Sequence, residues 1–387
     1  MTSISPTKAT PHLALALGAI LLTPDLTLAD ESSFDDLWKL ATLYQNPNNP
    51  YLEQFKLRGR YQGQYTHVDS DRGESSDWED RRSRFGFDAL MLERKIELRL
   101  DFQSNDGFQD FYDGLVDAYI RYKPNGSTAI TLGKTKPLIG QYDWLESTNT
   151  QPTFERSQIF NQLNINRATA FTIEGSAQPF TWRSGIYSNS TPATTGGTGS
   201  WGDGEFGNLD GGYSYSFGIG YDFKEQLGTE KADARLDWLH SERREGDRVL
   251  GRYDDIIAST FWIKQGSVAV VFEDYYATGG NDEDSDVFGF FIQTMYDFVP
   301  DKFQLVGRYS FSASRGPNGI RPQGRYESTA EAMRGDTYQS VYLGGQYFIH
   351  GDKLKLLIGA EYAALGQNSH SDRYNGFDLL GGLRFSF

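Results

Sequence analysis

A length of 387 residues, a net charge of −15, no cysteine and a mean hydropathy of −0.55 exclude a helical membrane protein, disulfides, thiolate metal sites and cysteine nucleophiles. So acidic a chain is no nucleic-acid binder on electrostatic grounds. Aromatics reach 14%, with 23 Tyr, 26 Phe and 42 Gly, an excess that aromatic girdles and glycines in twisted strands would explain.

The N-terminus reads as a secretory signal. Lys8 supplies a thin positive region, and Leu13–Leu22 is apolar but too short to cross a bilayer as a helix. Thr27-Leu28-Ala29 before Asp30 is a cleavage site, so residues 1–29 are expected to be removed. That loses Lys8 and Asp25 together and leaves the charge at −15. Residues 30–54 differ from all that follows. Ser32 or Ser33 caps a short helix with Asp35 and Asp36 in its first turn and Phe34, Leu37, Trp38 and Ala41 on one face. Asn46-Pro47-Asn48-Asn49-Pro50 stops it. A periplasmic helix packed at a barrel mouth and a disordered leader are both compatible with this segment.

From Phe55 to the C-terminus apolar and polar residues alternate. Phe55, Leu57, Tyr61 and Tyr65 oppose Lys56, Arg58, Arg60, Gln62 and Gln64. Ile96, Leu98, Leu100 and Phe102 oppose Glu97, Arg99, Asp101 and Gln103, and Val116, Ala118 and Ile120 oppose Asp117, Tyr119 and Arg121. Tyr213–Phe223, Phe288–Phe298, Phe303–Phe311 and Leu354–Tyr362 continue the pattern, and Phe377–Phe387 ends it on an aromatic. Such a final strand resembles the recognition signal that the barrel-assembly machinery reads in bacterial outer-membrane proteins.

Connections alternate as well. Short ones fall at Leu92–Arg94, Lys123–Ser127, Ala177–Pro179, Lys264–Gly266, Val299–Lys302 and His350–Lys353, with a longer one at Lys224–Glu230. Long polar ones fall near 67–79, 104–112, 137–164, 189–212, 242–254, 278–286, 313–336 and 365–375. The expectation is a transmembrane antiparallel β-barrel over residues 55–387, of about sixteen strands, with lipid outside and water inside.

Arg81-Arg82-Ser83-Arg84-Phe85-Gly86, Glu97–Phe102, Val116–Ile120, Leu132-Gly133-Lys134-Thr135-Lys136-Pro137, Phe154-Glu155-Arg156-Ser157, Arg167 and Gly175 occur in an order that resembles the phosphate-selective porin O and P family. The likeness covers roughly residues 80–175. It implies a sixteen-stranded, usually trimeric channel of the bacterial outer membrane whose third external loop, here 137–164 with Glu155 and Arg156, folds into the lumen. The chain departs from the family by mixing inward arginines with Glu97, Asp101 and Asp117, which supports a porin better than it supports phosphate.

Charged groups at the narrowest part of a pore act through a focused field, and arginine adds a fork that matches oxyanions. Lys56, Arg58 and Arg60 would form a basic rail, with Arg82, Arg84, Arg99 and Arg121 on neighbouring strands. The competing reading has these arginines bracing the wall against Asp88, Glu97, Asp101 and Asp117. Lys134 and Lys136 open the long loop, as pore groups or as a solvated rim. Glu155 and Arg156 are expected to fix that loop to the wall by a salt bridge. The external loops are acidic at Asp69, Asp71, Glu74, Asp77 and Glu79, and at Asp282-Glu283-Asp284-Ser285-Asp286, where solvated charge competes with Ca²⁺ bridging to lipopolysaccharide.

No metal, cofactor or catalytic residue is called for. His67, His240, His350 and His370 form no ligand pair, and His240-Ser241-Glu242 puts neighbours on opposite faces of a strand. The Gly-rich Thr194–Gly212 lacks a phosphate loop. The sequence therefore points to a porin passing small hydrophilic solutes, anions such as phosphate foremost. A general or carbohydrate porin using lumen aromatics such as Tyr119 and Tyr187, and a non-conducting structural or adhesive barrel, are the alternatives.

Overall fold

The structure is a computed structural model and describes residues 31–104, 106–188, 212–244, 247, 248, 250–280, 284–324, 327, 329, 333–366 and 374–387. Helix α1 (Glu31–Lys39) and a short strand β1 (Thr42–Gln45) come first. The wall follows as β2 (Leu52–Ser70), β3 (Gly73–Met91), β4 (Ile96–Ser104), β5 (Gly114–Asn125), β6 (Thr128–Thr135), β7 (Ala168–Ala177), β8 (Phe180–Ser188), β9 (Tyr213–Asp222) and β10 (Lys231–Ser241). After a two-residue hairpin, β11 (Arg243–Arg244) and β12 (Asp247–Arg248), it continues as β13 (Asp255–Gln265), β14 (Val268–Thr278), β15 (Val287–Val299), β16 (Phe303–Ser314), β17 (Thr337–His350), β18 (Leu354–Gly366) and β19 (Tyr374–Ser386). Each wall strand is antiparallel to the next, and β19 pairs with β2, so a 16-strand sheet closes on itself and leaves no edge.

Alternation is what sets the two faces. In β9, Tyr213, Tyr215, Phe217 and Ile219 are exposed on the outside while Ser214 and Ser216 are buried within. Tight turns join strands at one end, as at 92–95 and 351–353, and the long connections lie at the other. The expected long loop over 67–79 is instead strand: β2 and β3 run 19 residues each and turn at Asp71 and Arg72 alone. Paired strands need no lipid beyond the membrane, so the hairpin continues past it. The turn is closed by Ser70, whose hydroxyl donates to the Gly73 carbonyl, with Gly73 at φ +126°.

Residues 30–54 hold one element the sequence reading lacked. β1 pairs with β2 from Lys56 to Gln54, below the point where β19 ends. Four residues are too few for a periodic signal. The expected signal peptide, Thr194–Gly211, Asp282, Glu283 and His370 lie outside the described residues.

Candidate functional site

The long connection between β6 and β7 bonds to side chains that point into the barrel. Gln141–Leu145 forms a single wide turn, and Glu273 of β14 accepts from the amides of Gln141, Tyr142 and Asp143 at 2.8, 2.7 and 3.0 Å. The same carboxyl group accepts from Thr260 and Tyr275, so one buried side chain receives five donors. Gly140 must be glycine here, because its φ is +61° and a Cβ would lie 2.3 Å from the Tyr275 hydroxyl. Ser157 caps helix α2 (Gln158–Leu163) by accepting from the Phe160 amide, and Asn164 ends it in the left-handed region at φ 54°. Asp143 accepts from the Ser157 amide and hydroxyl.

Arg384 of β19 holds the middle of the connection by donating to the carbonyls of Thr148, Gln151, Thr153 and Phe154. Farther along, Ile159, Phe160, Leu163 and Ile165 pack with Ile256, Tyr275 and Val287 of the wall and with Tyr253 just before β13. Apolar packing thus takes up the side toward β13–β15.

On the side toward β2–β8 lies a cavity of about 350 Å³ with ten cationic side chains and three carboxylates in its lining. Arg58, Arg60, Arg82, Arg84, Arg99, Arg121, Lys136 and Arg156 all reach it, and so do Arg167 and Arg183. Several are neutralised. Arg58 bonds Asp88 at 2.7 Å and Asp101 at 3.1 Å, and Arg99 bonds Asp88 at 2.8 Å. Arg121 lies 3.9 Å from Glu174, Arg167 2.6 Å from Asp117, and Arg183 is forked onto Asp237. For these the bracing reading holds locally.

Arg60, Arg84 and Lys136 differ. Arg60 donates to the hydroxyls of Thr148 and Ser147 at 3.1 and 3.4 Å, and Arg84 donates to the Gln103 amide oxygen at 3.1 Å. Lys136 donates to the carbonyls of Trp144, Leu145 and Glu146. Among the described residues none of the three has a carboxylate within ion-pair distance. Burial pushes the Lys136 ammonium well below its ordinary value, and the repulsion of Arg156 and Arg167 adds to this. Lys56 lines a second cavity of about 220 Å³ toward the short-turn end, with Arg58, Arg60, Arg84 and Lys353.

The structure departs from the expectations at Lys134 and Arg156. Lys134 does not join this site. It pairs with Ala118 and Thr169 and is itself buried beside Gly133, whose φ is +127°, while Thr135 and, past the strand end, Lys136 reach the cavity. Nor is Lys136 a solvated rim group. Glu155 is indeed salt-bridged, but to Arg81 and Arg82 of β3, with Arg156 donating to the Asp143 carbonyl and lying 5.0 Å over Trp144.

Arg81 was missed because parity points it away from Arg82. A β-bulge between Gln62 and Gly63 sets two residues of β3 against one step of β2 and turns both arginines inward. Arg167 was read only as part of a motif. Nothing local in the sequence brings it to Asp117, 50 positions away.

The lumen tyrosines offer no bare ring. Tyr187 is fully buried, its hydroxyl accepting from the Leu138 amide at 2.9 Å, and Tyr119 lies between the guanidinium groups of Arg99 and Arg121 at 5.6 and 5.2 Å. Asp284 is taken by Arg321 and Arg334, and among the described residues no three His, Asp or Glu side chains are grouped to hold a metal.

Residues 55–240 match the family model described as phosphate-selective porin O and P, in keeping with the resemblance carried by residues 80–175. No curated protein sequence matches the chain. Among solved structures, OmpF of Salmonella typhi in complex with daunomycin has a TM-score of 0.60 at 11% identity, covering 89% of this chain and 100% of that one. An anion-selective porin from Comamonas acidovorans gives 0.58 at 11%, covering 86% and 99%, and the outer-membrane channel DcaP of Acinetobacter baumannii gives 0.57 at 13%, covering 89% and 100%. These likenesses establish the fold, and with the family match they place the chain in the bacterial outer membrane.

Proposed function

On the premise of that match to the phosphate-selective porin O and P family, we propose that this outer-membrane barrel is a porin that favours small anions. The observation that carries the reading is the cavity of about 350 Å³ in which Arg60, Arg84 and Lys136 stand without carboxylate partners. Fixed cations in a water path with low-dielectric walls raise the local anion concentration and exclude cations. Lys56 and Lys353 prolong the path toward the short-turn end, which we assign to the periplasm.

In this reading residues 136–167 are the constriction. Glu155 and Arg156 belong to its support, since Glu155 holds Arg81 and Arg82, and Arg156 is stacked on Trp144. The pore group is Lys56, Arg60, Arg84 and Lys136, with Arg58, Arg82, Arg99 and Arg121 as partly neutralised neighbours, and Lys134 is left out of it. Phosphate is the leading solute by family description alone. A homotrimer is proposed on the same footing, a trimeric form of OmpT from Vibrio cholerae being among the similar folds. Lipopolysaccharide at the external rim and the barrel-assembly machinery at Phe377–Phe387 are the other expected partners. Residues 1–29 are retained as a signal peptide, and the protein is proposed to be no enzyme.

Single-channel recording tests the solute. Chloride current should be blocked saturably by added phosphate at millimolar or lower concentration. A current that phosphate leaves unchanged would reduce the reading to a general porin. Absence of any current would favour a structural barrel, whose lumen the apolar packing of the β6–β7 connection has closed.

A further inference from the structure

Helix α1 packs on the outside of the wall, not in its mouth. Along β19, Asp378 and Leu380 are buried and Arg384 bonds the lumen connection, so Phe377, Leu379 and, by parity, Phe385 face outward. Trp38 meets that outward Phe385 at 5.5 Å, lies tilted against the His350 ring at 4.7 Å, and donates from its indole nitrogen to the Ser386 carbonyl at 2.6 Å. The sheet then continues without a break. Gly59 and Phe387 exchange amide hydrogen bonds at 3.2 and 3.0 Å, the Leu57 amide donates to Ala41 at 2.8 Å, and β1 extends the edge where β19 stops.

Among the described side chains of α1 and the turn after it, this contact uses part of the apolar face. Trp38 and Ala41 are buried, while Leu37 and Leu40 are 54% and 72% exposed. Leu43, the extra residue of the bulge in β1, is 59% exposed. Asp36 and Lys39, paired at 2.8 Å, lie on the other side of the helix. The three leucines continue the outward belt of Leu57 and of Phe55, whose ring meets Phe87 at 5.3 Å. A segment seated on lipid-facing side chains, apolar outward and polar toward the rim, has the layout of an interfacial anchor.

We propose that residues 35–45 lie in the headgroup–acyl boundary of the leaflet at the short-turn end, with Leu37, Leu40 and Leu43 among phospholipid acyl chains. The inference rests on the outer-membrane barrel and is independent of what the pore carries. The native absence of cysteine allows a direct test. Spin labels are placed at Leu37→Cys, Leu40→Cys and Leu43→Cys, with Leu57→Cys and Lys39→Cys as lipid and water references. The purified protein is reconstituted in phosphatidylethanolamine–phosphatidylglycerol vesicles, and folding is checked by heat-modifiable migration. Labels at 37, 40 and 43 should collide with oxygen and be shielded from a nickel chelate, as at 57. Nickel access as at 39 would overturn the proposal. So would shielding from both reagents, which would mean that a second copy of the chain covers the segment.

Discussion

Arg60 and Arg84 carry more of the expected selectivity than the carboxylate-paired arginines of the cavity, because neither has a carboxylate within ion-pair distance. At an effective dielectric of about 20, two charges about 10 Å apart interact by roughly 1.7 kcal/mol, or nearly twentyfold in a partition ratio. Arg60→Gln or Arg84→Gln should each lower the anion-to-cation permeability ratio by several-fold to about tenfold, read from reversal potentials. Arg58→Gln should change it less, since Arg58 already shares its charge with Asp88 and Asp101.

Lys136 adds a dependence on pH. Its ammonium is held well below the usual lysine value by burial first and then by Arg156 and Arg167, so its charge is lost at a lower pH than that of exposed lysines, which titrate near pH ~10.4. Folding disfavours the charged form, so stability rises with pH across that interval while anion preference falls. Conductance and selectivity titrated together should show this limb, and Lys136→Gln should abolish it. Lys134 and Lys136 share parity, so the sequence joins them, and only the end of β6 at Thr135 separates them.

At the scale of elements, the strands were legible because a barrel has two solvents, and period two records them residue by residue. The β6–β7 connection was not, since its order comes from distant donors and acceptors that leave no spacing in the chain. Glu273 is separated by 130 to 132 positions from the three amides it receives, and Arg384 by more than 200 from the carbonyls it holds. These contacts should fix the width of the pore. Glu273→Gln keeps the shape but turns one acceptor oxygen into an NH2 donor, so the two or three hydrogen bonds to that atom are lost, and it should broaden the open-channel current noise with little change in selectivity. Arg81→Ala leaves the Glu155 carboxylate buried with one partner fewer and should cost roughly 3 kcal/mol, seen as a lower temperature of heat-modifiable migration in detergent.

For the whole molecule, an acidic chain surrounds a basic path because the two signs are sorted by place. Asp69, Asp71, Glu74 and Asp77 sit on the external β2–β3 hairpin, while the unpaired cations sit within. Net charge of −15 described the surface and said nothing of the lumen. That sorting is open to one measurement, the zero-current potential across a planar bilayer in a potassium chloride gradient. The native protein should give the sign of chloride preference, and Arg60→Glu with Arg84→Glu should move the potential through zero. A native potential of the potassium-selective sign, or a chloride preference that survives the double reversal, would contradict the account.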